Sequence, residues 1–142
     1  MKSYFLSSLA IILLSCNEEK MEPLSDFEIN KNKWEALAID SYSCTFKISC
    51  FCIREATLPK RIQVVNGRIV NVNTDSYDKD EHWGILTIDQ LFDLIEQSEK
   101  DKVHVLNVEY NSEKGYPISV YIDREEMMVD EEMGYYVSDL SY

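Results

Sequence analysis

"KRIQVVNGRIVNVN", Lys60 to Asn73, decides the class of fold. Ile62 and Val64 alternate with Arg61 and Gln63, and "NG" at Asn66 and Gly67 supplies the two residues that tolerate positive φ in a two-residue hairpin turn. The stretch therefore predicts two antiparallel strands, the first opening after Pro59. Upstream, Tyr42, Cys44, Phe46, Ile48, Cys50 and Cys52 alternate with Ser43, Thr45, Lys47 and Ser49, which predicts a strand with one apolar face. In front of it, "NKWEALAIDSY" spaces Trp34, Leu37, Ala38 and Tyr42 at helical intervals, so a first helix is expected from Asn30 to Asp40.

Downstream, the acidic loop "TDSYDKDEHWG" leads into "LTIDQLFDLIEQ". Thr87 and Gln90 there have capping-box spacing, Leu86 and Leu91 can staple the first turn, and Asp89 complements the positive end of the helix. Ile88, Leu91, Phe92 and Ile95 form the stripe that would be buried. "VHVLNVEY", "PISVYI" and "GYYVSDL" then predict three more strands. Helix and three strands are followed by helix and three strands. "PKRIQVVNGRIV" and "PISVYIDREEMMV" share their opening proline and apolar alternation, which suggests a degenerate tandem helix-plus-three-strand repeat. The class is α+β: an antiparallel β-sheet with two helices on one face.

"MKSYFLSSLAIILLSC" has the plan of a signal peptide, with one charge at Lys2 and an apolar run that is too short to span a bilayer. "LLSC" ending at Cys16 resembles the lipobox of bacterial lipoproteins, in which the cysteine carries a thioether-linked lipid and its new amino group an acyl chain such as palmitate. The expected organisation is thus residues 1–15 as signal peptide, 16–29 as lipidated Cys16 and flexible tether, and 30–142 as one domain. The expected location is the cell envelope, anchored by lipid to a bacterial membrane, the outer membrane by preference, with the domain extracytoplasmic.

The chain of 142 residues has a formal net charge of −12, and loss of Lys2 with the signal peptide takes this to −13. Such a charge repels nucleic acid and anionic headgroups. Gly67, Gly84, Gly115 and Gly134 all fall at expected turns, which leaves no glycine-rich phosphate cradle and no nucleotide site. His82 and His104 fit no metal-ligand spacing, and His104 alternates with Val103 and Val105 as a structural strand residue. No serine stands in a nucleophile elbow. No enzyme, metal or cofactor is expected.

Asp75, Asp78, Asp80 and Glu81 would suit a calcium loop, but a loop opening at Asp78 has Trp83 where glycine is needed, so a solvated loop with Trp83 and Gly84 packed before the helix is expected instead. A second acidic group, Asp123, Glu125, Glu126, Asp130, Glu131 and Glu132, lies on a strand connection. Asp123, Asp130, Glu131 and Glu132, with Tyr136 beside them, form a candidate surface for a basic partner or a cation. Tyr135 and Tyr136 should take opposite faces of their strand.

In an oxidising envelope two nearby thiols more often form a disulfide than a metal site. Cys50 and Cys52 on a straight strand would stand about 6.6 Å apart at Cα, so bonding them requires a bulge or a strand end. Reduced core cysteines and metal or redox chemistry are the other readings. Cys44 would lie ~20 Å away along the strand and read as a small core hydrophobe.

Cys50 and Cys52, Pro59, Gly67, "LFDLI" (Leu91–Ile95), "GYP" (Gly115–Pro117), Asp123, "DEE" (Asp130–Glu132), Tyr136 and Val137 resemble a family of small bacterial lipoproteins whose shared domain has no assigned function. The resemblance covers Trp34 to Leu140 and implies an extracytoplasmic, lipid-anchored domain; it supplies no catalytic residues. Cys44 is not part of that pattern. The function expected is a non-catalytic binding domain with an envelope protein partner, and the rival is metal handling or thiol redox chemistry at Cys50 and Cys52.

Overall fold

The computed structural model describes residues 23–142, so the expected signal peptide, Cys16 and the first half of the tether lie outside the described residues. The elements in chain order are α1 (Asp26–Ala36), β1 (Tyr42–Ser49), a 3-10 turn (Arg54–Thr57), β2 (Lys60–Val65), β3 (Arg68–Val72), β4 (Asp75–Ser76), α2 (Ile88–Asp101), β5 (Val105–Tyr110), β6 (Pro117–Asp123) and β7 (Met133–Ser141). The strands form one antiparallel sheet in the order β4-β3-β2-β1-β7-β6-β5.

Local chemistry explains most of these elements. Asn66 (φ 48°) and Gly67 (φ 71°) make the left-handed pair that turns β2 into β3. The Thr87 hydroxyl accepts from the Gln90 N–H at 3.2 Å while the Gln90 side chain accepts from the Thr87 N–H at 2.9 Å, so α2 begins on a reciprocal cap. Ile88, Leu91, Phe92 and Ile95 are buried beneath it. Tyr42, Cys44, Phe46 and Ile48 of β1 are buried along one face, meeting Ile62 and Val64 of β2 and Tyr135 and Val137 of β7. Both helices cover that face. The opposite face, with Arg61, Gln63, Lys47 and Tyr136, stays open to solvent.

Three boundaries differ from expectation. First, α1 starts at Asp26 and not Asn30, because Ser25 and Glu28 form a capping box: the Glu28 carboxylate accepts from the Ser25 N–H at 2.7 Å and the Ser25 hydroxyl accepts from the Glu28 N–H at 3.2 Å. Residues 26–29, read as tether, are therefore helical, and Phe27 packs edge-on against Phe92. The helix stops early because Ala38 turns left-handed at φ 49°. Second, β1 ends at Ser49, so Cys50 and Cys52 leave the sheet. Third, β5 starts after His104, an exposed residue whose N–H donates to the Arg124 carbonyl at 3.2 Å.

The two halves share an element order, each a helix followed by a three-stranded meander, to which the first half adds the two-residue β4. In space the meanders lie side by side as 3-2-1 and 7-6-5, with β1 antiparallel to β7. A rotation that keeps this left-to-right order while reversing strand direction would carry the helix to the other face, yet Trp34 of α1 and Phe92 of α2 enter the same core. The likeness therefore resides in the order of elements rather than in a symmetry of the fold.

Candidate functional site

Ser49 pairs with Gly134, so the end of β1, the end of β6 and the start of β7 leave the sheet at the same place. The chain turns as it leaves β1, which brings Cys50 and Cys52 to a Cα separation of 5.3 Å, and the two are joined in a disulfide. The strand end supplies the approach that a straight strand would deny. Cys44 is a free, buried thiol, and burial pushes its pKa up to about 12. Phe51, between the bonded cysteines, is 80% exposed, and Ile53 is exposed beside it.

The next turn holds this loop in place. The Lys60 ammonium donates to the carbonyls of Glu55, Ala56 and Leu58 at 3.0, 3.0 and 3.2 Å, closing the 3-10 turn onto the start of β2. Burial lowers the Lys60 pKa, and the three carbonyls satisfy its charge. A hollow of about 280 Å³ lies between this turn and the loop before α2, lined by Ile53, Ala56, Lys60, His82, Trp83 and Ile85 among others.

That loop is braced by its own hydrogen bonds and ring contact. The Asp78 carboxylate accepts from the N–H groups of Asp80 and Glu81 at 2.8 and 3.3 Å, His82 Nδ1 accepts from the Asp78 N–H at 3.1 Å, and the His82 ring stacks on Tyr77. Gly84 (φ 77°) is set against Ile48, since a Cβ there would stand 3.3 Å from Ile48 Cδ1. Trp83 does not pack away as expected; it is 47% exposed at the hollow's rim.

The acidic residues singled out from the sequence do not form one cluster. Asp123, Glu132 and Tyr136 share the open sheet face around Tyr121, whose phenol is pushed up by desolvation and then by Glu132, Asp123 and Tyr136. One carboxylate oxygen of Asp123 is buried without a hydrogen-bond partner. Tyr136 lies across Gly134, where a Cβ would come within 3.1 Å of its hydroxyl, and the Lys47 ammonium sits 5.6 Å from its ring centroid. Tyr135 is buried on the other face. Glu131 instead accepts from the Glu125 N–H at 2.6 Å inside the β6–β7 loop, and Asp130 (φ 72°) is an exposed turn residue. Among the described residues no three His, Cys, Asp or Glu side chains are grouped to hold a metal ion.

The same loop carries residues that the sequence reading passed over. Met127 is 94% and Val129 80% exposed, with Met128 half-exposed between them. Their signal was legible: "MMV" is an apolar triplet flanked by "DREE" and "DEE" in a strand connection, where solvation would favour polar residues. One end of the sheet thus presents apolar side chains from three loops, Phe51 and Ile53, Trp83, and Met127 to Val129. Glu55, Glu81, Glu125, Glu126 and Asp130 frame them.

Residues 26–142 match the model of a family described as Family of unknown function (DUF6174). The chain belongs to this family. The matched residues take in both described helices and all seven described strands. No curated protein and no solved structure matches the chain.

Proposed function

We propose that this member of the family is a lipid-anchored bacterial envelope protein whose domain binds a protein partner without turning it over. One observation carries the binding reading: the loops after β1, before α2 and between β6 and β7 expose Phe51, Ile53, Trp83, Met127 and Val129 at one end of the sheet. Scattered exposed apolar residues are ordinary, whereas apolar tips gathered from separate loops mark an interaction surface. The carboxylates around them, in a chain of formal charge −12, favour a partner with an apolar centre and a basic rim. They also disfavour nucleic acid and anionic lipid. The open-face group of Asp123, Glu132 and Tyr136 adjoins this end and adds to the steering, while Glu131 serves the loop's own geometry.

Two experiments test the two parts. Anchoring rests on the register of Leu13, Leu14, Ser15 and Cys16. Expressed in a bacterium, the chain should partition into detergent and lose residues 1–15, and Cys16→Ser should abolish both; unchanged partitioning and processing would refute the anchor. For the surface, a photo-crosslinking residue at position 127 should capture a discrete partner in intact cells, while the same residue at position 68, on the hairpin at the opposite end, should not. With that partner purified, Phe51→Asp combined with Met127→Asp should weaken binding roughly tenfold or more, as expected for loss of central apolar anchors. Identical adducts from both positions, or unchanged affinity, would eliminate this end as the contact.

A further inference from the structure

The Cys50–Cys52 bond has the wrong placement for a staple. It joins residues two apart, and a cross-link that closes so short a loop removes little freedom from the unfolded chain. It ties no two elements together either, because both cysteines follow the last residue of β1, and β1 is already held to β2 and β7 by its ladders. Its surroundings instead resemble a docking place. Exposed Phe51 and Ile53 flank it, and together with Cys52 they line a hollow of about 280 Å³. Cys50 packs against the core, so the two sulfurs are unequal: Cys52 faces the hollow and Cys50 faces the protein. Cys44, the one other thiol among the described residues, is buried on the sheet and takes no part.

We infer that Cys50 and Cys52 form an exchangeable disulfide that accepts two electrons from a polypeptide dithiol seated on Phe51 and Ile53. This goes beyond partner binding and does not depend on it, since a free dithiol peptide suffices as substrate. A thiolate of the incoming dithiol attacks Sγ of Cys52; the Cys50–Cys52 bond breaks, and Cys50 departs as a thiolate. The substrate's second thiolate then attacks the substrate sulfur of the mixed disulfide, forming the substrate disulfide and releasing Cys52 as a thiolate. The two protons lost by the substrate thiols end on Cys50 and Cys52. The substrate is oxidised by two electrons and the pair is reduced by two. The fold permits this exchange because no element depends on the bond.

The purified domain, equilibrated without oxygen in mixtures of reduced and oxidised glutathione, acid-quenched and alkylated, provides the test. Molecules carrying two added alkyl groups should coexist with unmodified ones over a range of glutathione ratios, with Cys44 unlabelled and the far-UV circular dichroism unchanged. A structural disulfide resists the glutathione pool. A pair that stays oxidised in a large excess of reduced glutathione, or a fold lost on reduction, would overturn the inference. Phe51→Ala separates docking from bare chemistry: reduction by a leucine-flanked Cys-x-x-Cys peptide should slow about tenfold, the effect of losing one apolar anchor. Reduction by glutathione, which makes no use of the apolar seat, should slow by much less than reduction by the peptide. Equal slowing, or none, for both reductants would refute the seat on Phe51.

Discussion

Replacing Gly115 with alanine should cost about 2–4 kcal/mol, the sum of left-handed strain and overpacking, and should push α1 off the sheet. Gly115 has φ 81° in the turn between β5 and β6, where its N–H donates to the Asn111 carbonyl at 2.8 Å. Asn111 in turn accepts from the N–H groups of Glu113 and Lys114 at 3.2 and 2.9 Å, so the turn is closed upon itself and cannot yield cheaply. It is pressed against α1. A Cβ on residue 115 would collide with the Asn30 carbonyl oxygen and stand 2.7 Å from Lys33 Cβ. Backbone cannot rotate aside as a side chain can.

Gly67 provides the comparison, since it has φ 71° but nothing within 4 Å of its Cβ position. Gly67→Ala should therefore cost only the conformational part, about 1–2 kcal/mol. Urea midpoints of the two variants, at unchanged slope, measure the difference. Equal costs would mean that the turn does not bear on α1.

Trp34→Ala should be the most damaging single truncation in α1, costing about 3–5 kcal/mol in the manner of large aromatic deletions. Trp34 is the buried residue of that helix; its ring meets Tyr42 and Tyr116 edge-on, with centroids 5.8 and 6.0 Å away. Its indole N–H donates to the Asp89 carboxylate at 2.8 Å, tying α1 to the first turn of α2. Tyr42 completes the knot, because its hydroxyl accepts from the Ile88 N–H at 2.8 Å. Most of α1 is otherwise exposed, so the loss should be local first. Amide exchange should rise across residues 26–36 while β1 and β7 stay protected. Trp34→Phe keeps much of the ring and loses the hydrogen bond, and should cost about 1 kcal/mol. If α1 amides remain protected in Trp34→Ala, the helix is held by something other than this residue.

The elements legible in the sequence are those whose causes lie within a few residues. Asn66 and Gly67 turn the β2–β3 hairpin because only their own φ values are at stake, and Thr87 with Gln90 starts α2 because the cap is a local exchange of hydrogen bonds. Alternation likewise assigned the buried face of β1 and the opposite placement of Tyr135 and Tyr136 on β7. Even the early start of α1 is written locally, in the reciprocal hydrogen bonds of Ser25 and Glu28.

Tertiary structure decided what depends on distant partners. The pairing of Ile48 with Tyr135 closes the sheet between the two meanders, and no local preference specifies that register; complementary apolar faces do. The same pairing sets where β1 ends, and hence where Cys50 and Cys52 turn off the sheet and meet. It also places the β6–β7 loop beside them, so that Phe51, Ile53 and the Met127–Val129 triplet share one end of the molecule, while Glu131 turns inward to Glu125 and Asp123 loses solvent. Periodicity assigns each residue a face of its own strand. Which faces and ends become neighbours is fixed only when the long-range ladders form, because their energy belongs to pairs of segments and to neither segment alone.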